Sequence, residues 1–179
     1  MKSSLAALAV VFLLTGSALA AGPDGNQCDA NKVAGTYLRN RPAAFSGSGF
    51  GVLDQLVLTS DGTAYWYQTT SFDLLITGGT FIPEVGSWQC LDKSTIAVTT
   101  IGANYFPNGA GDIVKANYDK FSQKLTIQDD NTLQVVLRIS RTYALTDDPL
   151  TGTPLTKNVS TNTTSPYRRV TATADDVTP

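Results

Sequence analysis

Beyond about residue 30 the chain is a succession of short runs rich in Val, Ile, Leu, Thr and Tyr, each closed within a dozen residues or so by Gly, Asp, Asn, Ser or Lys. Runs of this kind follow the twofold alternation of strands, and no stretch past the N-terminus sustains the 3.6-residue periodicity of a helix. Runs 52–59 and 63–70 flank Ser60-Asp61-Gly62, where Asp-Gly supplies the residue types that tolerate positive φ in a tight hairpin. Runs 85–90 and 95–101 flank Leu91-Asp92-Lys93-Ser94, and runs 112–118 and 124–128 flank the polar stretch 119–123, predicting two further hairpins. The run 132–143 alternates, with Leu133, Val135, Leu137, Ile139, Arg141 and Tyr143 on one face and Thr132, Gln134, Arg138 and Ser140 on the other.

With 33–39 and a weak strand around 72–81, these runs make about eight strands in nearly consecutive hairpins, and no connection is long enough for a parallel crossover. The predicted fold is an all-β, up-and-down antiparallel barrel; a two-sheet β-sandwich is the alternative. Closing the sheet removes the two open edges that a flat meander of that length would leave. Eight strands enclose an interior that side chains fill or that holds one small ligand.

Residues 1–20 carry Lys2, an apolar run over 5–14 and the small-residue triplet Ala18-Leu19-Ala20, the pattern of a cleavable signal peptide that sends the chain to a secreted or periplasmic location. The apolar run falls short of the roughly 20 residues a membrane span needs. Residues 21–145 then form the barrel domain. The stretch 146–179 is rich in Thr, Asn and Pro and poor in large apolar residues, so it is either disordered or laid as an extended strap, docked at Tyr167 and Val170. Its Asn158-Val-Ser and Asn162-Thr-Thr sequons read as chance matches in a chain rich in Asn and Thr.

The chain has no histidine, which excludes a Ser-His-Asp triad, a Cys-His pair and imidazole metal ligation. Fifteen acidic residues stand against 13 basic ones, so nucleic acid is not an expected partner. Cys28 and Cys90, the two cysteines of an exported chain, are expected to form a disulfide, the alternative being two free thiols. No phosphate loop, Cys-x-x-Cys or zinc signature is present, and Asp24-Gly25-Asn26 with Asp29 lacks the terminal glutamate of a calcium loop, so neither cofactor nor metal is expected.

Gly35-Thr36-Tyr37 opening the first strand, the meander of short strands and Arg141 in the last one resemble the lipocalin-like (calycin) barrels over 33–143. Those families open on Gly-x-Trp; here Tyr37 replaces the tryptophan, and the helix they pack beside the barrel has no counterpart in the Thr-rich tail. The resemblance implies a binder of small hydrophobic molecules or, in the bacterial protease-inhibitor branch, a secreted inhibitor. It also implies that the first and last strands meet, with the Arg141 guanidinium over the Tyr37 ring at one end of the barrel and Gly35 leaving room for close approach.

Candidate ligand contacts follow from the strand pattern. In Tyr65-Trp66-Tyr67 alternation sends Trp66 to one face and both tyrosines to the other, lining an apolar pocket or forming ordinary core and surface pairs. Tyr105 and Phe106, within the Gly-rich stretch 102–111, fit a loop at the barrel mouth. Asp54 is in register with Val52, Leu56 and Leu58, so its carboxylate either points inward and needs a partner or a raised pKa, or sits at the rim in water. Trp88 shares a face with Cys90 and is expected beside the disulfide. Three functions fit: a carrier of a small hydrophobic ligand, a protein-interaction module or inhibitor acting through surface loops, and an isomerase or cyclase using an inward acid beside an inward tyrosine. A non-enzymatic role is favoured.

Overall fold

The computed structural model describes residues 28–41, 52–68, 80–81, 83–129, 131–161, 163 and 165–171. The expected signal peptide, most of the weak strand at 72–81 and the Asn162 sequon lie outside these residues. A single helical turn, α1 (Ala30–Val33), capped by the Asp29 carboxylate accepting from the Asn31 N–H, precedes ten strands. They are β1 (Gly35–Arg41), β2 (Val52–Leu58), β3 (Thr63–Gln68), β4 (Thr80–Phe81), β5 (Glu84–Asp92), β6 (Thr95–Pro107), β7 (Ile113–Asp129), β8 (Thr132–Tyr143), β9 (Thr156–Thr161) and β10 (Tyr167–Arg169).

Eight of them close an antiparallel up-and-down barrel in the order β1-β2-β3-β5-β6-β7-β8-β10, with β10 returning to β1. The Asp61-Gly62 hairpin forms as expected: Gly62 sits at φ 87°, where a side chain would be strained, and the Asp61 carboxylate accepts from the Thr63 N–H. Cys28 and Cys90 are bonded, with Cα atoms 5.6 Å apart, and pack with Trp88 against the core.

Four sequence expectations are corrected. The polar stretch 119–123, expected to be a turn, lies inside a continuous 17-residue β7, because Asp119, Phe121 and Gln123 face a barrel interior that is itself polar at that level. Tyr105 and Phe106 belong to strand β6, paired with β7 and, at Tyr105, with β4; the turn comes only at 108–111.

The third correction is to β8. Leu125 pairs with Val135 but Lys124 pairs with Leu137, so Val136 is an extra residue, a β-bulge that inverts the alternation. Leu133 and Val135 face inward, and beyond the bulge Arg138, opposite Gln123, takes the inward face in place of Leu137 and Ile139.

The fourth concerns closure. Beyond β8 the chain turns back as β9 along Leu137–Thr142 and continues as β10 along Thr132–Leu133, so the tail lies along both halves of β8. It is extended, as one of the two expectations had it, but it supplies the closing strand instead of lying over a finished barrel. Tyr167 is fully buried while Val170 is exposed. Tyr37 therefore pairs with Arg169, whose guanidinium lies 5.6 Å from the ring centroid. Arg141 pairs instead with Lys120 and Lys157, away from Tyr37. Gly35 has the expected role with this other arginine: a Cβ there would come within 2.6 Å of Arg169 Nε.

Candidate functional site

Inward-facing side chains divide the barrel into two halves. Toward the α1 end, Tyr37, Leu56, Leu58, Trp88, Ile96, Val98, Leu125, Leu133 and Val135 belong to one buried cluster, which extends through Trp66 and Tyr167 into the other half. A depression of about 110 Å³ at this end is lined by Tyr37 and Leu133 of the cluster together with Cys28, Lys32, Lys93 and Asp129. Toward the opposite end, where β1 stops at Arg41 and β2 begins at Val52, the interior becomes polar.

Asp54 is completely buried there, resolving the two readings in favour of the inward one. Its carboxylate accepts from Arg39 Nε at 2.9 Å and from Arg39 Nη2, and from Arg41 Nη2 at 3.0 Å. Arg39 is equally buried and rests on the Tyr167 ring, 4.5 Å from its centroid. The Tyr167 hydroxyl in turn accepts from Trp66 Nε1 at 3.0 Å. Desolvation holds that phenol above its ordinary pKa. A chain of contacts thus links β2, β1, β10 and β3 across the interior.

A second acid, Glu84, stands inward on β5 and accepts from Thr100 Oγ1 at 2.5 Å. Burial drives its pKa up to about 8 against the Thr100 hydrogen bond, with Asp119 adding to the rise. At neutral pH it is mostly the uncharged acid. Nearer the mouth, Asp119 accepts from Asn104 Nδ2 at 2.8 Å and Thr142 Oγ1 at 2.7 Å, and Asn104 also donates to Asn117 Oδ1 at 2.6 Å.

Arg138, half-buried, enters this half from β8. Its guanidinium lies 4.5 Å from the Phe121 centroid and 5.2 Å from that of Trp66, two rings that themselves sit 4.9 Å apart. Among the described residues it has no hydrogen-bond or ion-pair partner. Desolvation, with Arg39 and Arg41 adding to it, holds Arg138 below its ordinary pKa against the opposing influence of Tyr167 and Asp54. Beside it Gln123, 4 % exposed, has both its amide oxygen and its amide nitrogen buried with no partner.

No family model, curated protein or solved structure matches this chain. The function therefore has to be argued from the interior itself.

Of the residues expected to form a site, Asp54 and Trp66 lie in the interior. Tyr65 and Tyr67 are half-buried on the outer face of β3, opposite Val57 and Gln55. Tyr105 and Phe106 are half-buried near the far end of β6. Sequence reasoning missed Arg39, Glu84, Gln123 and Arg138. Arg39 was detectable, since it alternates in step with Gly35 and Tyr37. Arg138 was hidden by the bulge at Val136.

Proposed function

We propose that this is an exported lipocalin-like binding protein that holds a small molecule in the polar half of its barrel. The observation that carries the reading is Gln123, buried and turned inward with both amide atoms unpartnered among the described residues, directly opposite the inward, half-buried Arg138 of β8. Leaving a buried polar group unmade costs about 1–3 kcal/mol, and a group to which a ligand offers the missing partner recovers that cost on binding. Trp66 and Phe121 give such a ligand an aromatic wall, and the apolar half beneath, packed as one cluster, forms its floor. The disulfide and the absence of a long apolar helix among the described residues support export.

An isomerase or cyclase reading would use Glu84 as its acid, since the Asp54 carboxylate is already held by two arginines. The interaction-module reading rests on β9, whose six residues are all exposed and whose far edge pairs with no described strand, with Leu155 just before it and Val159 within it both exposed.

Native mass spectrometry of protein purified from its own host separates these readings. A retained small molecule is the expected result. A captured protein partner with no small-molecule adduct would favour the β9 surface and contradict the carrier.

A further inference from the structure

We propose that the ligand is a small monocarboxylate, its carboxylate bound by the guanidinium of Arg138 and the side-chain amide of Gln123. The inference rests on the binding reading above and adds to it the chemical class of the ligand. Three observations point to it.

The first is charge. Among the described residues, three arginines, Arg39, Arg41 and Arg138, stand around the polar half against two carboxylates, Asp54 and Asp119, and both of those are already engaged. Glu84 retains its proton near neutral pH and adds no negative charge. Among these groups one positive charge is left over, and one anionic group balances it; a dianion would leave an excess of the opposite sign.

The second is geometry. An arginine held against aromatic rings still has five N–H donors in the guanidinium plane, in the fork that matches a carboxylate. Arg138 is so held by Phe121 and Trp66, and none of its donors reaches a described acceptor. Gln123 adds an amide N–H donor directly across the strand pair, so both chemical complements of a carboxylate arrive from adjacent residues. The amide oxygen is left to a second polar atom of the ligand or to water.

The third is energetic. An arginine desolvated without a counter-ion costs folding stability. The Phe121 and Trp66 rings hold one face of the guanidinium, but no ion pair among the described residues balances its charge, which anion binding would.

The test uses benzoate and 2-naphthoate, each beside its neutral amide, titrated into the full mature protein and followed by the shift of the Trp66 indole N–H signal. The expected result is saturable binding of the acids at least tenfold tighter than of the amides, reduced at least tenfold by Arg138→Met and by Gln123→Leu. Arg138→Lys, which keeps the charge but loses the fork, should fall between. Thermal melting supplies a readout independent of any probe: Arg138→Met should melt higher than the parent protein. Acids and amides binding alike, or binding untouched by Arg138→Met, would overturn the carboxylate while leaving the carrier reading in place. No binding of any probe would overturn both. A lower melting temperature for Arg138→Met would make the arginine a structural residue and overturn the inference on its own.

Discussion

Buried charge dominates this interior at the level of single residues, and each ionisable group there has its own expected signature. Asp54 is the counter-ion of two arginines, and removing one member of a buried ion pair strands the others. Asp54→Ala is expected to cost about 3–5 kcal/mol, read as a lower midpoint in chemical denaturation. Glu84 gives a pH signature of opposite character. Its folded pKa, about 8, lies above the unfolded value of 4.5. Below the lower value both states hold the proton. Between the two, the unfolded chain ionises while the folded one does not, so stability falls with rising pH by about 1.4 kcal/mol per unit until the folded group also ionises. Glu84→Gln lacks this decline. Denaturation curves at pH 4, 6 and 9 should show the variant level with the parent at the lowest pH and increasingly more stable above it; parallel curves would remove Glu84 from the buried acids.

Among the elements, the closing strand carries the least sequence signal and the greatest consequence. β10 is three residues long and two of them are arginines, so neither alternation nor apolar content announces a strand. Tyr167 was visible as a docking residue, but only tertiary pairing places it between β1 and β8. The hairpin at Asp61-Gly62 was legible because its turn chemistry is local. The bulge at Val136 was not, since Val135, Val136 and Leu137 are all apolar and either face of β8 then looks fit for the core. Polar residues at 119–123 imitated a turn for a related reason: strand patterns assume an apolar interior, and half of this one is polar. Tyr167→Ala should cost about 3–5 kcal/mol, the range for emptying a buried aromatic site. A chain ending at residue 161 should expose the facing edges of β1 and β8, lose its cooperative thermal transition and associate through those edges, as circular dichroism and size-exclusion chromatography would show. A truncated chain that melted like the parent would mean the barrel closes without its tail.

For the molecule as a whole, the disulfide and the proposed ligand site lie at opposite ends of one barrel. At the α1 end the disulfide ties the segment before β1 to β5 across 62 residues, a closure worth about 4 kcal/mol in the chain-entropy model. Reduction should lower the denaturation midpoint by an amount of that order without changing the folded β signal. At the other end Gln123 is left without a partner among the described residues, beside Arg138, and a ligand held there is the central claim. A crystal structure of the protein purified from its own host, without added ligand, tests it most directly. The account predicts ordered density for a small molecule against Arg138 and Gln123. An Arg138 guanidinium closed off by a carboxylate of the chain itself, with no space left beside Gln123, would contradict it.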